Sequence, residues 1–484
     1  MPSTFSTLEI GKSALLTSRR AIDVTGHNMA NASTPGYSRQ RVIQEPIIQR
    51  ISLSAGTSGM GVKISDVARI RDKFVDAVLR NEQEKRAAFA IQKDVLDHLQ
   101  VAFAEPSDSS IRESVDLFWA SWHDLSSDPQ SSAARAQLFE AGRSLTDMFR
   151  HLGSQIDSLT ADIETGIGAT VGKVNLLAER VGSLNIEISR AMARKEPVGD
   201  LMDRRDLLLD ELTELTGATV SYLDEGTVRV NIGGIPLVDR HKVYELASTL
   251  SVDGVRFHLL TGPNDSDKIL LDSVAGSLGG HKTARDQVVL RFRKELSNVL
   301  RDFAQGVNTI HSTNQDEPDD PYCPFFDFDP SDVLATIRIH HGIEEDRGKI
   351  RTGIGTDPLD GRIALAIADF IEGTENNYLA GLAEIVPPLG PAFDPSHGDF
   401  TDKWMAIVGG LGVEGQKVES GYDTQELLVK ELANRKDSIS GVSLDEEIAN
   451  LIREQHAFNA ASRLISTADD MLDTIINRMG LGGR

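Results

Sequence analysis

His340 and His341, followed closely by Glu344, Glu345 and Asp346, are the side chains best suited by type to hold a metal ion. Their spacing is wrong for it. Neighbouring residues of a strand point to opposite faces, and no His-Glu-x-x-His pattern places two imidazoles on one helical face. A second, acidic set comprises Asp316, Glu317, Asp319, Asp320, Asp327, Asp329 and Asp332. It offers oxygens to calcium but lacks the glycine and closing glutamate of an EF-hand loop, so it reads as a solvated loop. Cys323, the only cysteine, excludes an intramolecular disulfide and has no basic neighbour in the sequence to stabilise a thiolate. Gly353-Ile-Gly355 lacks the third glycine of a dinucleotide fingerprint. The carboxylates of Leu444-Asp-Glu-Glu447 could pair for acid–base work. Ser443 with Glu446 fits a capping box instead, and acids in a first turn suit the helix dipole. No catalytic set, cofactor or metal site is predicted.

The elements around these residues must then serve something other than chemistry. The 484 residues suffice for about two to four domains. Apolar residues make up 40% and aromatic residues 5%, so the core is expected to lean on Leu, Ile, Val and Ala, as helical bundles do. A formal charge of −23 disfavours nucleic acid, which needs clustered Lys and Arg, and keeps a concentrated subunit soluble. Glu9, Lys12, Arg19, Arg20 and Asp23 leave no apolar stretch for a standard secretory signal. No apolar run approaches the roughly 18 residues of a membrane span, so membrane insertion is not expected.

Periodicity predicts an amphipathic helix from Thr4 to Met29, ended by Pro35-Gly36, with Asn28 and Asn31 able to cap or turn the chain. An extended stretch through Arg41-Val42-Ile43 and Ile47-Ile48 follows, then a glycine-rich loop from Gly56 to Gly61. Helical pattern runs from Asp66 to about Phe103, with Phe74, Val78 and Leu79 on one side, and again from Ser110 to Leu125, with Trp119 and Trp122. Ala133 to Arg194 reads as one or two long helices, with Gly166 and Gly168 as candidate kinks. A short charged helix, Leu201–Leu215, precedes strand-like stretches from Thr219 to about Leu271. Helices return at Asp286–His311 after a Gly279-Gly280 turn, at Ile363–Phe370, and from about Asp402 to Lys436. The expected fold is mainly α with a small β insertion. Residues 1–62 and 440–484 form a coiled-coil-like terminal pair, 63–215 and 285–439 a bundle of long helices, and 216–284 the insertion.

The two extremities carry matching patterns. Leu8, Leu15, Ile22 and Met29 recur every seven residues, with small Gly11, Ser18 and Thr25 in the intermediate slots. Near the other end Leu444, Leu451, Phe458, Ala461, Ile465, Ala468, Leu472, Ile475 and Met479 are apolar. From Phe458 onward their steps alternate between three and four, a heptad seam. Two helices of a closed intrachain bundle would give the same pattern. Placement at the extremities, and the weakness of the amino-terminal seam, favour ends that gain order on assembly.

Met29-Ala-Asn31-Ala-Ser-Thr-Pro-Gly-Tyr37-Ser-Arg-Gln40-Arg-Val42 resembles the amino-terminal signature of the bacterial flagellar axial proteins. Ser440-Gly-Val-Ser-Leu-Asp-Glu-Glu447-Ile-Ala-Asn-Leu451, with its continuation to Ile475-Ile-Asn477, resembles their carboxy-terminal motif. Leu201-Met-Asp-Arg-Arg-Asp-Leu207 and Gly276-Ser-Leu-Gly-Gly280 agree, and the whole is similar to the hook-associated members of that family. The stretch from Phe326 to Ile363 is short, so the outer β domain of larger members looks absent.

This resemblance implies a structural, non-enzymatic subunit at the hook–filament junction of the flagellum, secreted through the flagellar type III export apparatus. It implies terminal helices that build the inner tube. The implied partners are other copies of the chain, the hook protein, the second hook–filament junction protein, and a cytoplasmic export chaperone on the carboxy-terminal helix. The assembly interface is expected at Leu8, Leu15, Ile22, Met29, Tyr37, Arg39, Leu451, Phe458, Ile465, Leu472, Ile475 and Met479. Tyr37 is a flat anchor with a polar tip, and Arg39 and Arg41 are expected to be free for carboxylates of a neighbouring subunit. Another axial subunit, of hook or distal rod, is the nearest alternative. A secreted hydrolase on a helical scaffold is the most distant one, because no converging acid, base or ligand set is found.

Overall fold

The computed structural model describes residues 4–52, 56–103, 111–251, 254–262, 267–312, 323–354, 357–372 and 400–474. Helix α1 (Thr4–Ala30) leads through the Pro35-Gly36 turn into a long antiparallel hairpin, β1 (Gln40–Ser52) and β2 (Gly56–Arg69). The glycine-rich segment expected to be a loop is therefore the first part of a strand. Cross-strand pairing overrides its low strand propensity, and Gly59 and Gly61 sit where the register shifts between Pro46 and Ile48. The helix expected from Asp66 starts later for the same reason, since residues 66–69 pair with residues 40–43. It is α2 (Lys73–Phe103), on which Leu79 is buried but Phe74 stands 75% exposed rather than on the core side.

Helix α3 (Ile111–Ser127) packs on α4 (Ser132–Ala193), a helix of 62 residues. At the α-helical rise it is about 90 Å long. Neither Gly166 nor Gly168 breaks it; Gly166 instead admits the His281 ring, which a Cβ would approach to 3.0 Å. Helix α5 (Gly199–Thr216) returns along α4 and ends at Gly217 in the left-handed conformation.

The β insertion forms two antiparallel sheets. The first has β3 (Thr219–Tyr222), β4 (Val228–Ile232), β5 (Ile235–Asp239) and β6 (Lys242–Val243) in sequential order. The second has β7 (Glu245–Ser251), β8 (Gly254–Leu260) and β9 (Lys268–Leu271). Two asparagines of α4 pin them. Asn185 bonds both backbone groups of Val228, at 3.0 and 3.2 Å, and Asn175 those of Leu246, at 2.9 and 2.8 Å.

Helix α6 (Gly276–Thr283) continues through a π-helical stretch into α7 (Leu290–His311). The expected Gly279-Gly280 turn does not occur. Gly280 lies inside the helix, where a Cβ would meet the Ala88 carbonyl at 2.7 Å, so its role is close approach to α2. The remaining body holds the short pair β10 (Phe326–Asp327) and β11 (Arg338–Ile339), helices α8 (Val333–Thr336), α9 (His341–Glu345) and α10 (Arg362–Glu372), and the long α11 (Phe400–Ser440). Helix α12 (Leu444–Asp473) closes the described chain.

The core departs from the aliphatic expectation at one place. Phe118, Trp122, Phe149, Phe303, Phe325, Phe326, Phe400 and Trp404 are buried as one aromatic cluster, with Phe325 and Phe326 centred 4.9 Å apart. Sparse aromatics are concentrated here, where α3, α4, α7 and α11 converge. Among the described residues no helix is long and apolar enough to cross a membrane.

Candidate functional site

Helices α1 and α12 lie antiparallel, with Gly11 against Ala461 and Ile465 and Asn28 against Glu447. A Cβ at Gly11 would fall 2.8 Å from Ile465 Cγ1, so glycine permits this approach. On α12 the facing stripe runs Glu447, Leu451, Phe458, Ala461, Ile465, Ala468 and Leu472, buried or partly buried at heptad spacing. Leu444 lies off it at 51% exposure, and Ile475 and Met479 are outside the described residues. On α1 it is the small slots, Gly11, Ser18 and Thr25, that are buried, while Leu8, Leu15, Ile22 and Met29 are partly buried. A second buried stripe, Thr17, Ala21, Val24 and Asn28, follows Ser13, whose Oγ accepts from the Val62 N–H of β2 at 3.2 Å. Helix α1 is thus held between α12 and the hairpin.

At the inner end of this pair the signature residues converge on Asn28, which is 1% exposed. Its Oδ1 accepts from the Tyr37 hydroxyl at 2.8 Å and from the Gln40 N–H at 2.9 Å. Its Nδ2 donates to the Gln40 carbonyl at 2.9 Å and to Glu447 Oε2 at 3.0 Å. All four hydrogen-bonding positions of the amide are filled. Burial, and after it the carboxylates of Asp200, Asp203 and Glu447, push the Tyr37 hydroxyl well above its ordinary pKa, so it stays a donor.

Arg39 is not left for a neighbour. It forks onto Glu446 at 2.7 Å and Glu447 at 2.8 Å, and its N–H donates to the Ser440 carbonyl at 2.9 Å. Ser443 caps α12 as expected, accepting from the Glu446 N–H, while the Glu446 carboxylate serves Arg39. Arg41 is exposed.

The same loop docks on α5. Ser38 N–H donates to Asp203 at 3.0 Å, Gln40 Nε2 to Asp200 at 2.9 Å, and Gly36, at φ 76°, rests on Leu207. Behind it a buried ionic network ties four elements. Arg69 bridges Asp203 and Asp206, Arg71 bridges Asp76 and Asp206, and Arg80 with Lys436 holds Asp210. Burial pushes the Asp210 carboxyl up, but Arg80 and Lys436 outweigh it and hold it below the usual range. Arg205, 1% exposed, bonds Asn185 Oδ1 at 3.1 Å and the Gly226 carbonyl, joining α5 to α4 and the insertion.

Sequence reasoning missed Asn28 as the hub and α5 as the dock. The available signal was Asp203, Asp206 and Asp210 recurring at helical spacing on α5, an acidic face needing cations.

The residues considered for chemistry are engaged structurally. His340 caps α9 rather than lying on a strand: its Nδ1 accepts from the Gly342 N–H at 3.1 Å. Cys323 does have a basic neighbour in space, since its Sγ is 3.0 Å from that same Nδ1. Asp327 pairs with Arg338 and Asp332 with Arg293, and Asp316 to Asp320 lie outside the described residues. Among the described residues no group of three or more His, Cys, Asp or Glu is placed to hold a metal.

Comparison with known proteins agrees with this layout. The family described as "Flagellar hook-associated protein FlgK helical domain" matches residues 96–326, "Flagella basal body rod protein" residues 8–37, and "Flagellar basal body rod FlgEFG protein C-terminal" residues 437–479. Flagellar hook-associated protein 1 of Bacillus subtilis is 28% identical over 526 aligned residues, covering 100% of both chains. That of Salmonella typhimurium is 25% identical, covering 96% of this chain and 98% of its own. The flagellar hook junction protein FlgK of Burkholderia pseudomallei has the same fold, with a TM-score of 0.60 at 13% identity over 75% of this chain and 100% of its own. A hook-associated helical domain at the centre, rod-type segments at both ends and full-length relatives of one kind make this chain similar along its whole length to the flagellar hook-associated protein 1 family.

Proposed function

We propose that this chain is the structural subunit that joins hook to filament, polymerising through its terminal pair. The observation that carries the reading is the character of that pair. Its interior is packed, and its signature loop is locked to the helical body, yet Leu16, Ile448, Ile452, Leu464 and Met471 face outward. A two-helix rod that leaves apolar side chains of this size in water on both flanks is built to be covered. In this reading residues 1–69 and 440–484 form the inner contact layer, the helical body a second layer, and the β insertion the outer one. The extra residues 63–69 complete the hairpin.

Leu8, Leu15, Ile22, Met29, Leu451, Phe458, Ile465 and Leu472 build the rod, the outward-facing Leu16, Ile448, Ile452, Leu464 and Met471 are what other copies cover, and we assign Ile475 and Met479 to the same layer. Tyr37 and Arg39 act behind them as the lock. Other copies, the hook protein and the second junction protein are the partners. Export as an unfolded chain by the type III apparatus, with a cytoplasmic chaperone shielding the carboxy-terminal seam, completes the route. Catalysis has no part in it. A strain lacking this chain is expected to assemble hooks without filaments and to release unpolymerised flagellin. Attached filaments in that strain would refute the reading.

A further inference from the structure

The terminal rod carries its exposed charge in two bands. The contacts of Gly11 with Ile465 and of Asn28 with Glu447 fix which residues of α1 and α12 share a level. Lys12, Arg19 and Arg20 are exposed on α1, and Arg463 of α12 lies about level with Lys12, giving a basic band. Towards the outer end Glu9, Asp469 and Asp470 are exposed and form an acidic band. The band centres lie about ten residues apart, about 15 Å at the α-helical rise. Nearer the joint the charges balance, with Arg453 3.8 Å from Glu454 and Asp23 about level with them.

Within one rod the bands do not neutralise each other. Glu9, Lys12, Arg19, Arg20, Arg463, Asp469 and Asp470 make no ion pair among the described residues. This contrasts with the joint, where Arg39, Arg69, Arg71 and Arg80 are all paired. A spacing of about 15 Å also exceeds the roughly 8–10 Å Debye length, so attraction along one rod is screened.

We propose that neighbouring copies pack their terminal rods side by side with an axial offset of about 15 Å, the basic band of one against the acidic band of the next. This rests on the assembly reading above and names its contact. The same offset brings Leu16 of one copy level with Met471 of the next, and both are 52% exposed. Charge then sets register and the apolar pair adds buried area. Each copy offers its two bands to two different neighbours, a heterologous contact whose axial offset propagates as a helical tier.

Disulfide trapping in assembled flagella tests this. In a Cys323→Ser background, Leu16→Cys with Met471→Cys is expected to give a ladder of linked copies on oxidation, and either cysteine alone none, because the offset leaves like residues of neighbouring copies about 15 Å apart along the axis. Within one rod the pair is about 18 Å apart along the axis, beyond disulfide reach. Reversing Lys12, Arg19 and Arg20 to Glu should cut the ladder about tenfold, as should reversing Asp469 and Asp470 to Lys, and combining both sets should restore it. No ladder from copies that are assembled and carry filaments overturns the offset contact and leaves the junction reading standing. So does failure of the combined reversal to restore the ladder. Filaments attached without this chain overturn the junction reading itself.

Discussion

Glu447 is 2% exposed and is held by Arg39 on one oxygen and Asn28 on the other. Removing one partner of such a pair leaves a buried charge uncompensated, which typically costs about 3–5 kcal/mol. Arg39 is partly solvated, so Arg39→Ala should lie near the lower end, about 3 kcal/mol, lost from the terminal pair. Glu447→Ala combined with it should lose less than the sum of the two single changes. Amide exchange of α1 and α12 reads both, and additive losses would argue against a coupled pair. This hub was hidden in the sequence because Asn28 is 12 residues from Gln40 and 419 from Glu447. Nothing local to Asn28 distinguishes a hub from a cap. The Ser443 cap was legible because both of its partners lie within one helical turn.

At the scale of elements, a similar buried tie anchors the end of α7. His311 is fully buried; its Nε2 accepts from the Arg351 N–H at 3.0 Å, so Nδ1 carries the proton and donates to the Cys323 carbonyl at 3.1 Å. Burial, helped by Arg351, Arg135 and His340 and opposed by the hydrogen bond to the Cys323 carbonyl, pushes this imidazole down to about 4. Unfolded, it would titrate near 6.5, so the folded state binds fewer protons between the two values. The stability this contributes is fully present above pH 6.5. It falls by about 3 kcal/mol as pH drops towards 4. Denaturant melts from pH 7 to 4 should show that slope, and His311→Gln should flatten it; equal slopes would contradict the assignment. Elements that bury one continuous face, such as α4 and the α12 seam, were legible from periodicity alone. The hairpin and the α6–α7 start were not. Their glycines read as loop and turn in isolation, whereas ladder pairing of β2 and the approach of Ala88 to Gly280 are tertiary facts.

At the scale of the whole molecule, the chain is a long helical body with both extremities brought to one end and bound there. Glu447 near the carboxy terminus touches Asn28 near the amino terminus, and both connect through Arg39, Ser38 and Asp203 to α5. A load on the terminal pair therefore passes into the body through the signature loop and its ionic network, not through a loose linker. The most direct measurement is electron microscopy of flagella in a deletion strain carrying either the full chain or one ending before Leu444. The account predicts filaments on hooks with the full chain, and bare hooks with flagellin in the medium for the shortened one. Filaments attached normally with the shortened chain would contradict it.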